Sequence, residues 1–303
     1  MKPAAITLLV PCHNAVRYLP RLLEGVSAQT IPFAEVVCYD DGSSDGTAAL
    51  ASSRGLRLIA GIGNRGVAHA RNRLAAAAET EWIHFHDADD LIAPNYVERL
   101  APWCDKENDV VSCDADWVEE TSREPMIRWR FNPTELSGAP LPHLLRQPMG
   151  LNSSIIRRSS WDSVGGCDET LAIWEDADVH VRLARSGARF HHVPEVLTWS
   201  LRHPDSFSHD YPRGWRCRLA ALKKYAAWPR VAGVSEAIAE EAERVAVELT
   251  ALGDPAGAAE ALALCRQMGG SPPTTRNPLL RLLKPWLPTV WLLRLQLRLR
   301  RRA

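Results

Sequence analysis

The chain has no apolar run long enough to cross a bilayer. The longest uncharged stretch near its end, residues 285–293, is far short of the roughly 20 residues a spanning helix needs. No charged-then-apolar leader precedes the first strand-like run at residues 6–10, so the expected protein is neither exported nor membrane-spanning, but cytoplasmic. There is no CxxC pair. Seven cysteines (Cys12, Cys38, Cys104, Cys113, Cys167, Cys217 and Cys265) are scattered and odd in number, which argues against a disulfide framework or a zinc site and for reduced, buried thiols. Acids are missing from the end of the chain. Nine of the 36 basic residues and none of the 36 acidic ones follow Glu260, leaving a body of charge −9 and a tail of +9; a body of that sign opposes a polyanion, and no nucleic-acid motif is present. What remains is 303 residues with 46% hydrophobic content, enough for one large domain or a domain with appendages.

Short apolar runs alternate with helical periodicity. Strands are predicted at 6–10, 35–39, 56–60 and 82–86. Between them, Asn14 is placed to cap a helix with apolar positions Val16, Leu19, Leu22, Leu23 and Val26, and further helices are expected at 45–53 and 67–78. This order predicts an α/β fold with a mostly parallel sheet and helices on both faces. Beyond it, 110–113, 126–131 and 154–156 read as strands, and 133–148 as a loop with a short helix. From Trp215 the composition turns helical over 215–227, 235–252 and 256–268, broken by Pro229 and by Gly253-Asp254-Pro255. One helical pair is not a repeat array, so a helical buttress is expected.

The densest chemistry follows the run at 82–85, where Asp87, Asp89 and Asp90 crowd into four residues. Carboxylates this close raise one another's pKa unless a cation neutralises them, which points to a hard divalent metal with a diphosphate across it; an exposed acidic turn is the plainer reading. A second acidic turn, Asp40-Asp41-Gly42-Ser43-Ser44-Asp45, ends the strand at 35–39. Ligands of open α/β sheets sit at such carboxyl ends. The stretch Gly61-Ile62-Gly63-Asn64-Arg65-Gly66 spells a dinucleotide fingerprint, but after the third strand rather than the first; glycines easing a tight turn, with Arg65, Arg71 and Arg73 near phosphate oxygens, account for it equally. Glu175, Asp176 and Asp178 open a helix, either as dipole-stabilised caps or with a general base among them. His84 and His86 read as packing residues.

Taken in order, Val10-Pro11-Cys12-His13-Asn14, the turn at 39–47, Asn64-Arg65-Gly66 with Ala70-Arg71-Asn72, the stretch 86–90 and Glu175-Asp176 resemble family 2 glycosyltransferases over about residues 5–208. The resemblance implies a GT-A-type nucleotide-binding sheet, a nucleotide-sugar donor, a divalent metal (Mn²⁺ or Mg²⁺) and inversion at the anomeric carbon. It implies that Pro11 and His13 line the nucleobase, Asp41 reads it, and Arg71 lies near the donor. Asp87 and Asp89 then form the DxD pair, near the ribose and on the metal respectively, with Asp176 as catalytic base. Where the family often has Tyr, this chain has His13; His203, in His203-Pro204-Asp205-Ser206, matches loosely the segment that closes over the donor and is a candidate metal ligand. UDP is the family's commonest carrier.

The organisation expected from these signals is a glycosyltransferase domain over 1–208 (a donor-binding half to about 110, an acceptor-side half over 111–208), a helical appendage over 209–270 and a basic Leu/Trp/Arg tail over 271–303. In the tail, Trp286, Trp291 and the arginines of 276–302 suit a peripheral membrane surface, where a lipid-linked or saccharide acceptor would be at hand; a helix packed on the acidic body is the alternative. Two other functions stay open: an oxidoreductase using the GIGNRG turn, and a non-catalytic nucleotide-binding scaffold.

Overall fold

The computed structural model describes residues 4–203, 210–229, 231–270 and 290. The chain divides into two units, Met1–Ser206 and Phe207–Ala303. The 276–302 tail, Val290 apart, lies outside the described residues. Among those described, no helix is long and apolar enough to cross a membrane.

The first unit opens as alternation predicts: β1 (Ala4–Cys12), α1 (Leu19–Ser27), β2 (Phe33–Asp40), α2 (Thr47–Ser53), β3 (Arg57–Ala60), α3 (Val67–Ala77) and β4 (Trp82–Phe85). It continues through β5 (Leu91–Ile92), α4 (Tyr96–Leu100), β6 (Val110–Glu119), β7 (Pro125–Trp129), α5 (Pro133–Gly138), α6 (Pro140–Arg146), β8 (Ser154–Arg157), α7 (Arg158–Ser163), α8 (Glu175–Arg185) and β9 (Phe190–Arg202). The sheet order is β3-β2-β1-β4-β8-β6-β9-β5, with β7 on the side of β6. Leu8, Leu9, Val10, Val37, Ile83, Phe85, Val111 and Ile155 are fully buried, or nearly so. Each such side chain is worth roughly 1.5–3 kcal/mol against leaving it in water.

The mostly parallel sheet is a misreading. β1–β2, β1–β4, β2–β3 and β6–β9 pair parallel, but β4–β8, β6–β8, β6–β7 and β5–β9 pair antiparallel, so the sheet is mixed. The reason lies in the connections. Parallel neighbours need a crossover of a dozen residues or more, which α1, α2 and α3 supply in the first half; β6 instead folds straight back as β7 through a short turn closed by Glu119 N–H on the Glu124 carbonyl at 3.1 Å.

Asn14 does not cap α1 either. It sits at φ 50°, its Oδ1 accepts the Ser44 N–H at 2.9 Å and its own N–H donates to Ser43 Oγ at 2.9 Å. The side chain thus ties the end of β1 to the acidic turn after β2. The helix begins at Leu19 with Pro20 in its first turn, a position where a missing N–H costs nothing.

β4 carries two fully buried histidines. His84 Nδ1 lies 2.9 Å from the Ser154 carbonyl and 3.1 Å from the Tyr96 hydroxyl; neither ring nitrogen of His86 makes a well-formed hydrogen bond among the described residues. Burial lowers the His86 pKa to about 4. A histidine whose folded pKa lies below its unfolded value of about 6.5 leaves stability untouched above that pH and lowers it as pH falls towards the folded pKa. Between pH 6.5 and 4 the wild type is therefore expected to lose about 3 kcal/mol relative to His86→Phe. Urea titrations of both proteins at pH 7.5 and 4.5 check this, and a constant difference across the range would disprove it.

Among the described residues, the second unit holds α9 (Tyr211–Ala226), α10 (Val234–Ala251) and α11 (Pro255–Gln267). Gly253 at φ 82° turns the chain between the last two, and Asp254 caps α11 by accepting the Gly257 N–H at 3.0 Å while Arg216 Nη2 donates to it at 2.7 Å. Ala237, Ile238, Ala242, Val245, Ala246 and Leu249 form the buried stripe of α10.

Candidate active site

β1 lies between β2 and β4 in the sheet, so the residues that follow these three strands are neighbours. Pro11 is near the end of β1 and His13 just beyond it. The His13 Nδ1 is 3.0 Å from the Asp41 carbonyl oxygen and its Nε2 3.1 Å from Asn64 Nδ2. A carbonyl on one side and an amide donor on the other hold the imidazole with its proton on Nδ1.

Asp41 is buried, and its oxygens accept the N–H groups of Arg65 and Gly66 at 2.8 to 3.0 Å. Gly66, at the N-cap of α3, offers no side chain of its own; a carboxylate from another segment satisfies the orphaned donors and meets the positive end of the helix. In the GIGNRG stretch, Gly61 is used for close packing and Gly63 lies against Gly42. A Cβ on Gly42 would come within 2.7 Å of Gly63 Cα, and one on Gly61 within 2.8 Å of the Tyr39 hydroxyl. Those glycines follow β3, the edge strand, which argues against a dinucleotide site.

In the second turn of α3, Arg71 is 5% exposed. Its Nη2 donates to Asp87 Oδ1 at 2.8 Å and its Nη1 donates to Glu175. One guanidinium therefore joins the acidic tip after β4 to the start of α8. Burial works against the charge of Arg71, but Asp87 and Glu175 raise its pKa above the ordinary value. Burial lifts Glu175 to about 7, with Arg71 opposing and the charge of Asp176 adding.

Asp176 is half-buried beside this pair. Its Oδ1 accepts the Ala177 N–H at 2.7 Å, and a Cβ on Gly150 would lie 3.6 Å from its Oδ2. Burial raises its pKa, with Arg71 opposing. Trp174, at the N-cap of α8, has φ 85°, a left-handed conformation that costs a bulky residue roughly 1–3 kcal/mol and that tends to be kept at functional sites.

On the other flank, Asp89 Oδ2 is 3.0 Å from His203 Nε2. Burial and the charge of Asp87 raise the Asp89 pKa. Asp90 is structural: buried, it accepts from Asn152 Nδ2 at 3.0 Å, Ser200 Oγ at 2.9 Å and Leu201 N–H at 3.1 Å, fixing the tip onto β9. Burial and the neighbouring charges of Asp89 and Asp87 push its pKa well above the carboxylate range. Arg65 leans on Glu169 at 4.0 Å.

The structure thus links Arg71, Asp87, Asp89, Asp176 and His203 through one chain of contacts and neighbouring charges, with Pro11, His13 and Asp41 at the adjoining strand ends. No sequence pattern singles out Asn152 or Ser200. Ser200 belongs to β9, a strand that escapes pattern reading because Pro194 falls within it, where the pairing register shifts from Cys113↔Val193 to Asp114↔Val196.

Comparisons with known proteins bear on the family and the fold. The sequence model described as glycosyl transferase family 2 matches residues 7–177. The chain is 31% identical over 157 residues to the succinoglycan biosynthesis protein ExoO of Rhizobium meliloti, covering 51% of this chain and 44% of ExoO. It is 28% identical over 206 residues to ExoU of the same organism, a succinoglycan biosynthesis protein, covering 62% and 59%. The chain spans about half the length of these two relatives. Among solved structures, a mannosyltransferase from Pyrobaculum calidifontis in complex with GDP-Man and Mn²⁺ superposes with a TM-score of 0.63 at 19% identity, covering 99% of this chain and 81% of the other, a likeness of fold.

Proposed function

Because this chain belongs to glycosyl transferase family 2, we propose that its cleft transfers a sugar from a nucleotide-sugar, UDP-linked by preference, to an acceptor hydroxyl with inversion. The observation that supports this reading is the double ion pair of Arg71, which joins Asp87 to the start of the Glu175-Asp176 stretch. In the reaction Asp176 takes the proton of the acceptor hydroxyl as its oxygen attacks the anomeric carbon, while the nucleoside diphosphate departs from the opposite face. A single in-line displacement inverts the centre and needs no covalent intermediate. A carboxylate held out of water, with its pKa raised, is suited to that proton transfer.

Pro11 and His13 would border the nucleobase, with Asp41 holding the 64–66 turn beside it and reading the base. Asp87 would face the ribose. The residues present also suit a divalent cation. Among the described residues, no three His, Cys, Asp or Glu side chains form a complete metal cage, but Asp89 and His203 meet from distant segments where negative charge is concentrated. One or two protein ligands completed by substrate phosphates is the way Mg²⁺-type sites are built. When bound, Mn²⁺ or Mg²⁺ supplies Lewis-acid stabilisation of the departing diphosphate. Two relatives are named for succinoglycan biosynthesis, which supports a saccharide acceptor in polysaccharide assembly; a lipid-linked acceptor is proposed beside it. The 1–208 catalytic domain, the 209–270 helical appendage and a 276–302 membrane-surface contact complete the proposal.

Thermal shift against a panel of nucleotide-sugars, with and without Mn²⁺, tests the donor and cation together. The right donor with Mn²⁺ is expected to raise Tm by several degrees, since ligand at 100 times its Kd contributes about 2.7 kcal/mol. Asp89→Ala should abolish the Mn²⁺-dependent part. Stabilisation by NAD(P) with none by any nucleotide-sugar would overturn the reading.

A further inference from the structure

We infer that Tyr18 is the positioning residue for His203, holding its imidazole with Nε2 turned towards the cation site and partnering Nδ1 in either tautomer; the inference rests on the cation reading above. Tyr18 stands at the N-cap of α1, far in sequence from His203 and outside each of the motifs that mark the family. Its ring stacks on the imidazole with centroids 4.9 Å apart and planes at 30°, and its hydroxyl lies 3.2 Å from His203 Nδ1. The opposite nitrogen, Nε2, faces Asp89 Oδ2 at 3.0 Å. His203 is 6% exposed, so its protons are assigned by these neighbours rather than by bulk water.

A neutral imidazole has one N–H and one lone pair. Without a cation, Nε2 would carry the proton towards Asp89 and Nδ1 would accept from the Tyr18 hydroxyl. Were Nε2 to ligate a cation through its lone pair, the ring N–H would sit on Nδ1 and need an acceptor there. A phenol oxygen serves both states, as donor in one and acceptor in the other. Ligating histidines generally donate their second N–H in this way, and removing such a partner weakens metal binding by roughly 10- to 100-fold.

Tyr18 is itself held. The guanidiniums of Arg17 and Arg21 lie 5.3 and 5.9 Å from its ring centroid, Arg21 Nη2 donates to the Asp89 carbonyl at 2.9 Å, and both arginines approach Glu120 at 3.6 Å. The start of α1 thereby fixes the ring against the same tip that carries Asp89.

The test is Mn²⁺ binding followed by electron paramagnetic resonance on the full chain, with Mn²⁺ alone and with Mn²⁺ and UDP, for wild type, Tyr18→Phe, His203→Ala and the double variant. Tyr18→Phe is expected to weaken Mn²⁺ about 10- to 100-fold, His203→Ala at least as much, and the double variant no more than His203→Ala alone, because the two residues act as one unit. A metal-free readout accompanies it. The ¹⁵N shifts of His203 should report a changed tautomer balance in Tyr18→Phe while Tm stays within a few degrees. Wild-type affinity in Tyr18→Phe, or losses that add in the double variant, would overturn the role of Tyr18 and leave the cation site standing. Absence of Mn²⁺ binding by the wild type would overturn both.

Discussion

Asp176→Asn is expected to lower kcat about 10²- to 10⁴-fold, the usual contribution of a positioned general base, while the Kd for the donor stays within about threefold. The amide keeps the Oδ1 that accepts the Ala177 N–H, so the start of α8 is undisturbed. Stability should hold or rise. Burial raises the pKa of Asp176, so at neutral pH its ionised form is less at ease in the folded chain than in water, and a neutral isostere relieves that cost. Loss of turnover without loss of fold or donor affinity separates a base from a cap. A scaffold that only binds nucleotide would lose nothing, and turnover within a factor of ten of wild type would remove Asp176 from the mechanism.

Arg71→Met is expected to carry the largest stability loss of any single change in the cleft, about 3–5 kcal/mol, because it leaves two carboxylates without the cation that faces them. The pH dependence follows from Glu175. Its folded pKa, about 7 with Arg71 present, lies above the unfolded carboxylate value and rises further when the guanidinium is removed. A carboxylate with a raised folded pKa binds its proton more tightly in the folded chain, so stability falls as pH rises through that range. The gap between wild type and Arg71→Met should therefore widen from pH 6 to pH 8. Arg71→Lys should recover only part of the loss, since an ammonium cannot present two parallel faces to Asp87 and Glu175 at once. Urea unfolding at the two pH values measures both effects; a loss under about 1 kcal/mol at pH 8 would mean that Arg71 does not hold the cleft together.

Much of the stretch from β1 to β4 was legible because each of its elements is written locally. Runs such as Leu8-Leu9-Val10 and Val36-Val37-Cys38 declare buried strands, and the helix of α3 shows in Ala68, Ala70, Leu74 and Ala75, which are buried or nearly so. The acidic turns stand at strand ends in the sequence and in space. The stretch from β5 to β9 was harder. β9 hides behind Pro194, β8 runs against both its neighbours, and α5 and α6 follow one another where one short helix was expected. None of these has a periodicity that reveals its partner.

Asn14 and Asp41 show the limit most directly. Asn14 has the composition of a helix cap and spends its side chain on Ser44 instead. Asp41 caps a helix in another segment, through Arg65 and Gly66. A local pattern states what a residue is able to bond, and the neighbouring chain chooses which bond is made.

By itself the sequence determined the strand–helix alternation of the first half, the acids at the ends of β2 and β4, and the order of motifs that marks the family, because burial periodicity and turn chemistry act within a few residues. Tertiary structure alone decided that the sheet is mixed, that Arg71 spans Asp87 and Glu175, and that His203 lies between Asp89 and Tyr18. Those facts depend on which strands lie side by side across a hundred residues or more, and contacts at that separation are set by the packing of the whole sheet.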